Sequence, residues 1–247
     1  MRVLGVIPAR LGSTRLPNKP LQLLAGEPLI TRVIQRVQEH GLTDELVVAT
    51  DSPMVAQVVE RSGVRAVLTD RGHSSGTDRV AEVAGRPEYR DFDLIANVQG
   101  DEPFLAREAL GGALARVEGG DDVGTAAAPL DAELAADAAR VKVVTDAAGR
   151  ALYFSRAAIP WRRDQDHPGE GLYRQHLGIY VYTRAALARW VAEPPSPAEL
   201  AERLEQLRAL HIGLAIGVAQ VDAAALPGVD TAEDLRRAEA HWHAFQG

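Results

Sequence analysis

The chain has 247 residues, 46% hydrophobic and 25% charged, which excludes disordered, coiled-coil and collagen-like classes and predicts one domain over residues 1–247. Cysteine is absent, which removes disulfides, thiolate metal sites and cysteine nucleophiles and fits a reducing compartment, so a cytoplasmic location is expected. The formal net charge of −7 supplies no basic field for a nucleic-acid backbone, and the apolar start, broken by Gly5 and Pro8, is too short for a signal core or a membrane span, so neither a nucleic acid nor a membrane is an expected partner.

In chain order, Val3 to Ile7, Glu45 to Thr50, Val64 to Leu68 and Asp93 to Gln99 are short β-branched runs that predict strands. Helical patterns alternate with them. Pro28 to His40 places Ile30, Val33, Ile34 and Val37 on one face and stops at Gly41, and Ser52-Pro53 supplies an N-cap and a first helical residue. The alternation predicts βαβ units and a mainly parallel sheet, hence an α/β fold. Further on, Ala126 to Ala139 reads as helix and strand edge, and Val141 to Asp146, Arg150 to Ser155 and Gln175 to Thr183 read as strands. The polar stretch Trp161 to Gly171 between two of them reads as a mobile loop in a position suited to a lid. Ser196 with Glu199, and Thr231 with Asp234, have the spacing of capping boxes.

Four stretches carry chemistry. The first, Ile7 to Pro20, follows the first strand directly and holds Arg10, Arg15 and Lys19 among glycine, proline and hydroxyls. In a parallel sheet the crevice beyond the carboxyl ends of the strands takes ligands, and such cations with backbone N–H groups can grip a polyphosphate; a merely solvated surface loop is the other reading. The G-x-x-x-x-G-K spacing of a Walker A loop is missing. In the second, Asn97 to Pro103, the Asp101 carboxylate ends the most apolar strand and suits Mg²⁺ bound against phosphate oxygens. Its partner is Asp230, whose alternative role is in the cap of the helix that starts at Thr231. The third, Ser74 to Arg79, enters a helix in a manner suited to a nucleotide and equally typical of any helix start. The fourth, Arg174 to Tyr182, puts His176, Gly178, Tyr180 and Tyr182 on one strand face, suited to a hydroxyl-rich sugar or to an ordinary half-buried strand.

Taken in this order, the segments Pro8 to Leu21, Val48 to Asp51, Ser75 to Glu82, Asn97 to Pro103, Tyr153 to Trp161, His176 to Tyr180, Leu204 to Leu207 and Gly228 to Thr231 closely resemble the 3-deoxy-manno-octulosonate cytidylyltransferases, or CMP-Kdo synthetases. The resemblance implies a Rossmann-like nucleotidyltransferase fold with a small dimerisation lobe, a homodimer, and transfer of CMP from CTP to 3-deoxy-D-manno-octulosonate (Kdo) for lipopolysaccharide synthesis. It assigns the nucleotide to Pro8, Ala9, Arg10, Ser13, Arg15, Lys19, Ser75, Gly76, Arg79, Gln99 and Asp101, and Mg²⁺ to Asp101 and Asp230. Catalysis falls to Arg15, Lys19, Asp101 and Asp230, and the sugar acid to Arg156, His176, Tyr180, Glu205 and Gln206. Asp78 stands where the family is expected to carry glutamate, and Arg162 to Gly171 is individual to this chain.

Rivals are weighed on the same residues. CMP-sialate synthetases usually carry Lys-Gly after the loop serine, where this chain has Thr14-Arg15-Leu16, so sialic acid ranks behind Kdo, while 8-amino-Kdo stays open. Asp101-Glu102-Pro103 lacks the Asp-x-Asp of many glycosyltransferases. A noncatalytic nucleotide-binding protein would bind CTP without turnover, yet the metal and phosphate set is complete.

Overall fold

The computed structural model describes residues 1–12, 15–163, 171–222 and 228–245, with the main chain only at 243–245. The chain divides into two compact units, Met1–Leu105 with Leu226–Gly247, and Ala106–Ala225.

The first unit opens with β1 (Val3–Ala9), a 3₁₀ turn at Lys19–Leu21, the two-residue strands β2 (Leu23–Leu24) and β3 (Glu27–Pro28), and α1 (Leu29–His40). Then follow β4 (Glu45–Thr50), α2 (Pro53–Arg61), β5 (Arg65–Leu68), α3 (Gly76–Ala84) and β6 (Leu94–Asn97). Strand β1 pairs in parallel with β6 on one side and β4 on the other, and β4 pairs in parallel with β5. The chain therefore builds outward from β1 to β5 and only afterwards adds β6 on the opposite side. That reversal of strand order is the switch point at which an open α/β sheet leaves a crevice beyond its carboxyl ends.

Local signals account for the boundaries. The apolar stripe of α1 is buried at Ile30, Val33, Ile34 and Val37, and Gly41 closes the helix in the left-handed region at φ 62°. Ser52 caps α2 by accepting from the Val55 amide. The Ala25-Gly26 turn has φ of 51° and 81°, the doubly positive pair that suits a tight hairpin.

The second unit contains α4 (Arg107–Glu118), β7 (Val123–Leu130), β8 (Lys142–Thr145), β9 (Ala151–Ser155), β10 (Tyr173–Thr183), α5 (Arg184–Ala192), α6 (Pro197–Glu202), α7 (Gln206–His211) and β11 (Ile216–Gln220). Strand β7 pairs in parallel with β11 and antiparallel with β10, and β8 joins β10 to β9 by antiparallel pairing. The alanine-rich run is thus strand rather than helix up to Leu130. Helix α4 packs closely on this part of the sheet: a Cβ at Gly124 of β7 would stand 1.9 Å from the Ala113 carbonyl oxygen, and one at Gly112 of α4 would stand 2.6 Å from the Ala219 methyl.

The chain returns to the first unit in α8 (Ala232–Phe245). Thr231 and Asp234 form the expected reciprocal cap, with Asp234 N donating to the threonine hydroxyl at 3.1 Å and Thr231 N donating to the carboxylate at 2.8 Å. Ser196 and Glu199 form the same box at α6. No helix among the described residues is long and apolar enough to cross a membrane.

Candidate active site

The carboxyl ends of β1, β4 and β6 lie on one edge of the parallel sheet, and the loops that leave them bring the first unit's candidates together. Pro8 is the meeting point. A Cβ at Gly100 would lie 2.9 Å from the Pro8 carbonyl oxygen, and one at Gly76 would lie 3.5 Å from its ring. The segments carrying Pro8 to Arg10, Ser75 to Gly76 and Gln99 to Asp101 therefore share one small volume.

Beside it, Asn18 takes the left-handed conformation and turns the chain into the 3₁₀ segment, which aims Lys19 at the acids. Lys19 Nζ donates to Asp101 Oδ2 at 2.5 Å and to Asp230 Oδ1 at 2.9 Å, while Arg15 Nη2 reaches Asp230 Oδ1 at 3.1 Å. Burial depresses the lysine pKa, but the two carboxylates outweigh it and hold the ammonium above its ordinary value. Glu102, which sequence reasoning passed over, joins the cluster: burial pushes its carboxyl well up, and the charges of Asp101 and Asp230 add to the rise.

An apolar floor supports these groups. Leu16, Leu24, Leu29, Phe104, Val229, Ala238 and Trp242 form one buried cluster, so a neighbour of Arg15, a close follower of Asp101 and the neighbour of Asp230 pack on the same α8 face. Arg32 lies over the Trp242 ring at 4.7 Å.

Other nucleotide candidates have different surroundings. Arg79 is 3% exposed and donates to Thr69 Oγ1 and to Asp51 Oδ2, the latter at 3.0 Å, so its guanidinium is held inside the fold. Ser75 caps α3 by accepting from Asp78 N at 3.1 Å, the ordinary helix start that its sequence allows. The preceding loop is tied down by Glu82. Burial raises its pKa, but the Asp70 amide, His73 and Arg86 more than offset this and bring it to about 2. Arg10 is exposed, Gln99 is half-buried, and Ser13 and most of the stretch from Trp161 to Gly171 lie outside the described residues.

The sugar candidates all fall in the second unit. His176, Tyr180 and Tyr182 share one side of β10 as expected: His176 and Tyr180 have ring centroids 5.3 Å apart, and Tyr180 and Tyr182 stack at 5.9 Å. The rings are more enclosed than a half-open strand face. Burial pulls the His176 imidazole down to about 3, and burial with the nearby Tyr182 and Glu205 raises Tyr180 well above the phenol range. Arg156 donates from Nε to the Glu202 carbonyl at 2.7 Å, from Nη1 to the Ala138 carbonyl at 2.9 Å and from Nη2 to the Arg203 carbonyl at 3.4 Å. A guanidinium has five N–H donors, so one remains on each terminal nitrogen. Gln206 is buried and Glu205 half-buried at the start of α7.

A buried group that the sequence did not flag stands behind Arg156. Lys142 is fully buried, and its ammonium donates to the carbonyls of Asp137 at 3.0 Å, Arg140 at 2.6 Å and Arg156 at 2.5 Å. Burial lowers its pKa. A lysine inside a predicted strand was the only available signal, and alternation alone would place it on the solvent face.

The parallel sheet and its acidic crevice define a nucleotide-using α/β enzyme. A family model described as cytidylyltransferase matches residues 4–216. A 3-deoxy-manno-octulosonate cytidylyltransferase from Gemmatimonas aurantiaca is 55% identical over 245 residues, covering 98% of this chain and 95% of that one. Another from Methylococcus capsulatus is 50% identical over 246 residues, covering 96% and 95%. The solved structure of CMP:2-keto-3-deoxy-manno-octonic acid synthetase complexed with CTP superposes with a TM-score of 0.90 at 38% identity, covering 99% of both chains. The chain belongs to the cytidylyltransferase family and, within it, to the 3-deoxy-manno-octulosonate cytidylyltransferases.

Proposed function

We propose that this protein transfers CMP from CTP to the anomeric hydroxyl of Kdo, giving CMP-Kdo and pyrophosphate, in the synthesis of lipopolysaccharide. The observation that carries this reading is the convergence of Arg15, Lys19, Asp101 and Asp230 at the switch point, in a chain whose relatives share that activity's name. The anomeric oxygen bonds to the α-phosphorus, the bond from that phosphorus to the α,β-bridging oxygen breaks, and the hydroxyl proton passes to the medium. Arg15 and Lys19 neutralise the departing pyrophosphate, and the backbone around Pro8 and Gly76 seats the nucleotide.

Asp101 and Asp230 fit Mg²⁺. Among the described residues no three His, Cys, Asp or Glu side chains gather as a metal-holding group, but Mg²⁺ commonly takes one or two carboxylates with water and phosphate completing its shell. Both carboxylates already face a common cation, the Lys19 ammonium. When bound, the metal neutralises phosphate charge and lowers the pKa of the attacking hydroxyl.

In the second unit, the two remaining Arg156 donors suit the sugar carboxylate, and His176, Tyr180, Glu205 and Gln206 suit its hydroxyls. The cysteine-free sequence and the use of CTP support a cytoplasmic site of action. Leu152, Tyr153, Trp161 and Leu172 are 62%, 38%, 80% and 39% exposed, apolar side chains of the second unit that a homodimer would cover.

Pyrophosphate release from CTP with Mg²⁺, compared for Kdo, sialic acid and no sugar, tests the reading. Release with Kdo alone is expected. Release with sialic acid alone, or CTP binding with no turnover for either sugar, overturns it.

A further inference from the structure

Thr125 on β7 is completely buried and pairs in register with Tyr180 of β10. A register shift between His176 and Tyr180, with Gly178 at φ 68°, turns the Ile179 carbonyl and the His176 ring toward the same threonine hydroxyl. Thr125 Oγ1 lies 2.5 Å from the Ile179 carbonyl oxygen and 2.9 Å from His176 Nε2.

Proton counting decides the rest. A carbonyl oxygen only accepts, so the single hydroxyl hydrogen of Thr125 is committed to Ile179. Only lone pairs of Oγ1 then face the imidazole, and Nε2 must be the donor. The burial that depresses protonation of this ring keeps it neutral near pH 7, which leaves Nδ1 as a bare acceptor. No described residue bonds Nδ1, and His176 keeps 8% exposure. A bare ring nitrogen accepts from a hydroxyl and repels a carboxylate.

We propose that Thr125 is a positioning residue whose hydroxyl fixes His176 in the Nε2–H form and thereby offers Nδ1, as an acceptor, to a hydroxyl of the acid-sugar substrate. This rests on the proposed reading of His176 as a sugar contact and adds to it the polarity of the contact: the carboxylate of the sugar is met elsewhere.

The test combines ¹⁵N spectra of the histidine side chains with kinetics on the full-length protein. The His176 signals are assigned by their loss in His176→Asn. In the wild type, Nε2 is expected in the protonated-nitrogen region and Nδ1 in the bare-nitrogen region. Thr125→Val, nearly the same shape, is expected to mix or reverse the forms and raise KM for Kdo about tenfold with KM for CTP unchanged; Thr125→Ser is expected to restore both. An Nδ1–H form in the wild type overturns the inference before any variant is made. So does Thr125→Val with wild-type spectra, or with altered spectra and unchanged KM for Kdo while His176→Asn raises it. If His176→Asn itself leaves KM for Kdo unchanged, the reading of His176 as a sugar contact fails, and this inference fails with it.

Discussion

The Val229 amide donates to the Asp101 carbonyl at 2.9 Å, so the residue before Asp230 is bonded to the main chain of the other candidate metal ligand. The two carboxylates belong to segments far apart in sequence, and this bond, with the apolar floor beneath it, sets their spacing before any ligand arrives. Lys19 then holds the place of a cation between them.

Replacing that cation should expose the repulsion it masks. Lys19→Met is expected to lower the stability of the metal-free protein by about 2 kcal/mol, because a half-buried pair of carboxylates loses its counter-charge. Added Mg²⁺ should raise the melting temperature of the variant more than that of the wild type, where metal must displace the ammonium. Turnover should fall at least about 100-fold through loss of charge at the leaving pyrophosphate. Thermal melts with and without Mg²⁺, beside pyrophosphate release, read both effects; equal shifts in the two proteins would count against the shared cation position.

The close approach at Pro8 predicts unequal costs for two glycines. A Cβ at Gly100 meets the Pro8 carbonyl at 2.9 Å, whereas at Gly228 the nearest contact is the carboxyl end of Glu102 at 2.7 Å and the nearest backbone is the Asp101 carbonyl at 3.2 Å. A side-chain end yields more readily than backbone. Gly100→Ala is therefore expected to cost about 1–3 kcal/mol and to raise KM for CTP, with Gly228→Ala closer to neutral. Urea denaturation of both variants ranks them, and the reverse order would defeat the argument.

Much of the first unit was legible because periodic local signals fix it: the α1 stripe, the Ser52 and Thr231 caps and the β-branched runs of β1 and β4 all form as their residues dictate. The second unit was less so. Strand β7 carries a glycine at position 124 because a helix packs closely on it, a tertiary demand that strand propensity does not register. The candidate site divided in the same way. Lys19 and Asp101 lie in the segments that leave β1 and β6, and Asp230, read from a helix start, meets the same lysine, whereas Arg79 is taken up by Asp51 and Thr69. That partnership depends on the parallel stacking of β4 and β5, which no motif spells out.

Lys142 illustrates a group that only the fold explains, and it predicts a coupled loss. Its ammonium is enclosed by three main-chain carbonyls, one of them Arg156's own. Lys142→Met keeps much of the volume but takes the ammonium from the Arg140 and Arg156 carbonyls and leaves the Asp137 carbonyl with only the Arg140 amide, at a cost of about 2 kcal/mol. Arg156 then loses one anchor of its main chain, so KM for Kdo should rise several-fold while KM for CTP stays constant. Chemical denaturation and substrate titrations on the same variant test both halves; a change in KM for CTP alone would place the lysine in the wrong site.

His176 sets the last expectation, a dependence of stability on pH. Its pKa falls from the ordinary imidazole value of 6.5 to about 3 on folding, because burial disfavours the imidazolium. Between those values the unfolded chain binds a proton that the folded chain refuses, so the contribution is fully present above pH 6.5 and declines as pH falls toward about 3. The slope from one such group is at most about 1.4 kcal/mol per pH unit. His176→Phe removes the titration and keeps an aromatic ring against Phe154 and Tyr180, which lie 4.9 and 5.3 Å away by ring centroid. Its stability should therefore fall less steeply with acid than that of the wild type, whatever constant offset the lost Thr125 bond introduces. The two denaturation curves, taken across that window, are expected to converge or cross as pH decreases; parallel curves would show that His176 is protonated as readily in the folded protein as in the unfolded chain.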